Sequence, residues 1–287
     1  MRNARWIVLL VAPASAGAAL VTPQLGGGSP GTTSAMKHAD VFFQAGSLVV
    51  QIDESVVTPR LRPLLEGDEF DPAAPYSMLN GKGYNAQYGW NAGGFINLPS
   101  GSAIWVETLA SSPGLEVYQA PIDAHGFAPI LGTAQSSTRW KWSGRMSHNY
   151  YAVTDFTTQR HWASYRVYLG DDTTGVPLIT YGAAEVTFDF ALPGDFDDSG
   201  NVDPLDYDLW SQSYGATGPD RSADGNGDGV VDAADYTLWR DHLSAVAVSV
   251  PEPATTLLVG VLLVGSAVRT LVGRKVRPLT LKTPSGF

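Results

Sequence analysis

The chain contains no cysteine. Disulfides, thiolate-bound zinc and thiol nucleophiles are therefore excluded, and stability must come from a core or from metal held by other ligands. Histidine is scarce. His38, His125, His148 and His161 show neither H-x-H nor H-E-x-x-H spacing, so no histidine zinc site is legible. There is no basic excess either: the formal net charge is −10. A nucleic-acid partner, which needs a basic face, is excluded on that ground. The acidity is local. Between Asp195 and His242 there are twelve Asp, no Glu, and only Arg221 and Arg240; the remainder has 16 acidic and 16 basic residues. Long apolar runs are missing from the interior and occur only at the two ends.

At the N-terminus, Arg2 and Arg5 precede an apolar run, Trp6 to Val11, and small residues that fit A-x-A cleavage at Ala14–Ala16 or Ala16–Ala18. That is the build of a secretory signal peptide, expected over residues 1–19; an uncleaved anchor is the other reading. The Gly- and Pro-rich stretch of residues 20–37 reads as a flexible linker. At the C-terminus, Ala254 to Val268 carries no charge, and Arg269, Arg274, Lys275 and Arg277 follow. Extended to Gly273 with Arg269 snorkelling, the run approaches the ~20 residues of a membrane span. The basic residues after it predict a cytoplasmic tail, residues 278–287.

Val250, Pro251, Glu252 and Pro253 stand immediately before that apolar run and basic cluster. The order of these three features resembles the PEP-CTERM sorting signal, here residues 248–277. The resemblance implies export, a surface or cell-envelope destination, a C-terminal membrane helix and processing by an exosortase-type enzyme. The chain departs from that pattern by running on through residues 278–287. A plain tail anchor is the alternative.

The acidic segment is a tandem repeat. "DFDDSGNVDPLDYDLW" from Asp195 and "DGNGDGVVDAADYTLW" from Asp224 align at an offset of 29 residues. Carboxylates packed this closely repel unless a cation sits among them, and a hard cation such as calcium wants six to eight oxygen ligands. Positions 1, 3, 5, 7, 9 and 12 give two ligand sets: Asp195, Asp197, Ser199, Asn201, Asp203 and Asp206, then Asp224, Asn226, Asp228, Val230, Asp232 and Asp235. Position 7 offers its carbonyl, so Asn201 and Val230 need not match. Gly200 and Gly229 at position 6 permit the sharp turn. Position 12 opens a helix in each copy. Val202 and Val231 at position 8 are expected to pair between loops.

Each loop is followed, but not preceded, by a helical stretch, and position 12 is Asp rather than Glu. This loop-helix pair resembles the dockerin type I repeat, a double F-hand, over residues 193–247. The resemblance implies two calcium ions and a cohesin-like partner. Positions 10 and 11, which carry hydroxyls in that family, are Pro204-Leu205 and Ala233-Ala234 here.

Residues 38–192 alternate short β-rich runs with Gly, Pro, Asn and Ser turns. The runs are "DVFFQ", "SLVVQID", "GGFINL", "SAIWVETL", "LEVYQ", "TRWKW", "NYYAVT", "ASYRVYLG" and "EVTFDFAL". The expectation is a mainly β chain: a jelly-roll-like β-sandwich, then the small α loop pair and the C-terminal membrane helix. Asp53, Glu54, Glu66, Glu69 and Glu107 sit in no catalytic motif, so no catalytic residue is assigned. Trp140 and Trp142 lie on one face of a strand and offer a stacking platform for sugar rings, or pack in the core. "GYNAQYGWNAGG" reads as a surface loop or long turn. The expected role is an exported, surface-associated, non-catalytic protein. A lectin-like binder of extracellular glycan and an unrecognised polysaccharide hydrolase are the alternatives.

Overall fold

The computed structural model describes residues 19–31, 34–120, 127–219 and 221–243. Among these residues the fold is mainly β, with open sheets arranged in a β-sandwich-like manner and two α-helices. The strands are β1 (Ala19–Val21), β2 (Lys37–Gln44), β3 (Ser47–Ile52), β4 (Asp68–Phe70), β5 (Gly83–Asn85), β6 (Tyr88–Ala92) and β7 (Ser102–Ser111). They continue with β8 (Glu116–Tyr118), β9 (Pro129–Ile130), β10 (Arg139–Trp142), β11 (Ser147–His148), β12 (Tyr150–Val153), β13 (His161–Asp171) and β14 (Ala184–Phe190). The helices are α1 (Pro204–Ser213) and α2 (Ala233–His242).

Three four-stranded sheets run β10-β7-β13-β14, β11-β6-β2-β3 and β5-β12-β8-β9, with β1 and β4 paired apart. Alternation fixes which face is inside, although β13 is covered on both faces from Val167 to Gly170. Along β13, Ala163, Tyr165, Val167 and Leu169 are buried, as are Ala39 and Val41 of β2. The first two sheets meet through aromatic rings. Tyr88 stacks on Phe188 at 4.1 Å between centroids, and Trp90 packs at 5.8 Å from Tyr165 and 4.9 Å from Phe188. The second and third sheets are linked by chain continuity. Ser147 and His148 pair with Trp90 and Gly89, whereas Tyr151 to Val153 pair with Asn85 to Gly83. The register slips by one residue between these ladders, around Ala86–Gln87 and Asn149, as a β-bulge does.

The structure corrects several expectations. Trp140 and Trp142 do share a face, but it is the core face: they are 7% and 2% exposed, too little to stack on a sugar. Trp142 also uses its indole N–H on the Arg145 carbonyl. "GYNAQYGWNAGG" is mostly β5 and β6, with Tyr84, Tyr88 and Trp90 in the core. "GGFINL" forms no strand, and Phe95 within it stands 95% exposed.

The expected linker is ordered over its described part. β1 pairs in parallel with β4, the Tyr84 hydroxyl donates to the Gly28 carbonyl at 2.7 Å, and the Leu65 N–H donates to Ser29 Oγ. Gly27 serves close approach: a Cβ there would sit 1.9 Å from the Tyr84 carbonyl oxygen. Among the described residues no helix is long and apolar enough to cross a membrane. The sorting motif Val250 to Pro253, the C-terminal apolar run and, except for Ala19, the signal peptide lie outside the described residues.

Candidate metal centre

Both acidic loops fold around their first and last carboxylates. In the first loop, Asp195 accepts from the N–H groups of Ser199 and Gly200, at 3.0 and 2.9 Å. Asp206 accepts from Phe196 and Asp197 with one oxygen and from Asp203 with the other. The second loop repeats the scheme. Asp224 accepts from Gly227 and Gly229, and Asp235 from Gly225, Asn226 and Asp232. Position-1 and position-12 side chains thus replace the backbone partners that a tight loop cannot supply.

The same carboxylates start the helices. Asp203 and Asp232 are the N-caps of α1 and α2, accepting from Leu205 and Ala234 at 2.7 Å, and Asp206 and Asp235 close the capping boxes. The repeat is reciprocal between copies. The Trp210 indole donates to the Asp232 carbonyl at 2.8 Å, and the Trp239 indole to the Asp203 carbonyl at 2.7 Å. Val202 and Val231 are both buried, but Val231 bonds to the segment between the loops, exchanging with Gly215 and Ala216, where a cross-loop pair was expected.

Burial makes these carboxylates unusual. Asp195, Asp206 and Asp235 are fully buried, and Asp224 is 2% exposed. Desolvation pushes the carboxyl groups of Asp195 and Asp235 up to about 6, and raises those of Asp206 and Asp224. A cation removes that penalty by supplying the opposite charge. Asp195, Asp197 and Asp206 offer oxygens that all lie within 4.8 Å of one another, so this cluster can hold a metal ion. The donors are hard oxygens, which suits a hard cation. In the second loop the Asn226 amide donates to Asp228 at 2.9 Å while its oxygen accepts from the Asp228 N–H.

The other acids named from sequence do not gather into such a centre. Glu107 pairs with Arg139 at 2.9 Å, Glu54 with Lys37 at 3.4 Å, and Asp53 binds Ser55; Glu66 and Glu69 are exposed. His161 bridges Ser112 Oγ and the Asp155 carbonyl, but the Asp155 carboxylate is engaged by Thr157 and Thr158. That arrangement lacks the orienting carboxylate of a nucleophilic triad.

Sequence reasoning missed the groups from the β region that reach the loops. Thr58 and Arg160 hold the Asp198 carboxylate at 2.6 and 2.7 Å. Arg60 and Arg62 reach backbone carbonyls of the loops. Their spacing resembles no motif, so only the fold reveals them. No family model, no curated protein and no solved structure matches the chain.

Proposed function

We propose that the protein is an exported, surface-associated, non-catalytic protein in which residues 193–247 form a dockerin-like double F-hand binding two calcium ions. In this reading the jelly-roll-like β-sandwich serves as an interaction domain, and the C-terminal signal hands the chain to an exosortase-type sorting enzyme. One observation carries the calcium reading: the same hydrogen-bond scheme around two buried carboxylates occurs twice, 29 residues apart, each time ending in a capped helix.

Calcium supplies a dehydrated divalent charge that a ring of carboxylate, amide, hydroxyl and carbonyl oxygens can share. Asp195 and Asp206 would hold the first ion with Asp197, Ser199 and the Asn201 carbonyl. Asp224 and Asp235 would hold the second with Asn226, Asp228 and the Val230 carbonyl. Asp203 and Asp232 each cap a helix with one oxygen and keep the other for the ion or its water.

Positions 10 and 11 present Pro204-Leu205 and Ala233-Ala234, and Leu205 is 61% exposed. A cohesin-like partner would therefore meet an apolar surface there. The test is calorimetric calcium titration of the full chain. Two ions should bind, and Asp206→Asn and Asp235→Asn should each remove one. Absence of calcium binding at millimolar concentration would overturn the reading.

A further inference from the structure

Arg60 and Arg62 lie two residues apart on an extended segment that bridges to Ala191 and to Tyr84. Leu61 between them points into the β core, so both arginines point to the other side. There they meet the acidic loops, one loop each. Arg60 Nη2 donates to the Asp195 carbonyl at 2.6 Å. Arg62 donates through Nε to the Gly225 carbonyl at 2.8 Å and through Nη2 to the Asp224 carbonyl at 3.3 Å. Asp195 and Asp224 are the two position-1 residues. Each is gripped at its carbonyl from the β region while its carboxylate turns inward to the loop amides.

Arg60 is 3% exposed and lies 5.6 Å from the centre of the Phe196 ring, in the small core of the loop pair. Arg62 also donates to Gly26, tying in the N-terminal segment.

Loop position 4 has a different use in each copy. In the first loop it is Asp198, in the left-handed region at φ 60°, with its carboxylate held by Thr58 and Arg160. In the second it is Gly227, at φ 80°, where a Cβ would lie 3.0 Å from the Arg62 guanidinium carbon. The first loop uses that position as an anchor, and the second leaves it bare to admit the arginine.

We infer that Arg60 and Arg62 are positioning residues for the two metal loops, one for each, and that through them ion binding and the stability of the β region form one linked equilibrium. The inference rests on the calcium reading above. Ligand-orienting groups outside the coordination set are worth about 10- to 100-fold in metal affinity. A guanidinium fork aimed at the peptide of a ligand residue is such a group, and lysine cannot reproduce its geometry.

The test uses the full chain. With Asp235→Asn silencing the second loop, Arg60→Lys should weaken calcium binding about tenfold while Arg62→Lys leaves it unchanged. With Asp206→Asn silencing the first, the pattern should reverse. In parallel, the β7 and β13 amides, followed by hydrogen exchange, should open at a lower temperature in chelator than in calcium, and Arg60→Lys/Arg62→Lys should shrink that difference. Should Arg60→Lys fail to fold, Thr58→Val, which removes one of the two groups that hold Asp198, is expected to weaken the first loop alone. Either arginine variant weakening both loops equally, or a β-region melt indifferent to calcium in the unaltered chain, overturns the inference and leaves the calcium reading intact. If the unaltered chain binds no calcium, both fall together.

Discussion

In the β region twenty buried residues, from Ala39 to Phe190, form one continuous core. In the loop pair the buried cluster is Phe196, Ala223 and Val231, with Leu209, Trp210, Ala216 and Trp239 packed partly against it. The first region excludes water with aromatic and branched side chains. The second buries four carboxylates and arranges backbone N–H groups around them. Area removed from water drives the one. The other encloses negative charge at a desolvation cost that a bound cation would offset. On the proposed reading, one region folds on its own interior and the other depends on a ligand.

Chelation probes that difference at its largest. Removing calcium from the full chain should unfold α1 and α2, because a structural ion's binding free energy is folding free energy. The sheets should persist at 25 °C. The 222 nm circular dichroism signal should fall while the β7 and β13 amides stay protected from hydrogen exchange. Helices that stay intact in chelator would erase the contrast.

The converse perturbation is Trp90→Ala. Trp90 is fully buried between Tyr165 and Phe188. Its truncation should cost about 3–5 kcal/mol of stability. Urea denaturation should reveal that loss to a similar extent with saturating calcium and without it. Trp140→Ala, at a side chain that the core covers, should likewise act through stability.

How much of this was legible differs between the regions in the same way. The repeat was legible because Asp195–Asp206 and Asp224–Asp235 place the same residue types at the same spacing, and the structure gives both copies a buried loop closed by a capped helix. Most strands were readable too, since alternation such as that of "ASYRVYLG" marks a half-buried strand. The direction of a strand's faces was not. "RWKW" puts both tryptophans on one side, but only packing against the other sheet says whether that side is wet. "GYNAQYGWNAGG" looked like a loop because Gly and Asn dominate it; the neighbouring β12 and β2 override that local preference. Residues 20–37 looked like a flexible linker because Gly27, which admits the Tyr84 carbonyl, is indistinguishable in composition from a linker glycine. Arg60 and Arg62 carry meaning only once two distant segments meet.

A change of pH sharpens the comparison further. In the ion-free folded loops the carboxyls of Asp195 and Asp235 titrate near 6, against the usual value of 3.8. Between those values the folded state holds protons that the unfolded chain has released. Stability of the ion-free loops therefore falls as pH rises through this window and grows as pH drops. Calcium binding has the opposite dependence, because protons compete for the same oxygens. Lowering the pH from 7 to 5 in chelator should restore part of the helical signal, and in limiting calcium should release the ion. A helical signal that declines on acidification in chelator would contradict this.

The smallest effect concerns the reciprocal tryptophans. Trp210→Phe and Trp239→Phe keep most of the ring contacts with Tyr207 and Tyr236 but remove the indole donors to Asp232 and Asp203. A single hydrogen bond of this kind is worth about 1 kcal/mol. Because each indole reaches into the opposite loop, each substitution should loosen the loop that the altered helix does not follow. Trp210→Phe should weaken the Asp224 ion, and Trp239→Phe the Asp195 ion, by roughly fivefold, the equivalent of that energy. Calorimetry in the single-loop backgrounds reads this directly. Weakening of the adjoining loop instead would mean that each loop and its helix act alone, and that the pair is joined only by its small core. Crossed weakening would make the two loops a single metal-binding unit, in contrast to the β region, whose first two sheets are joined by Tyr88 and Trp90 packing on Tyr165 and Phe188.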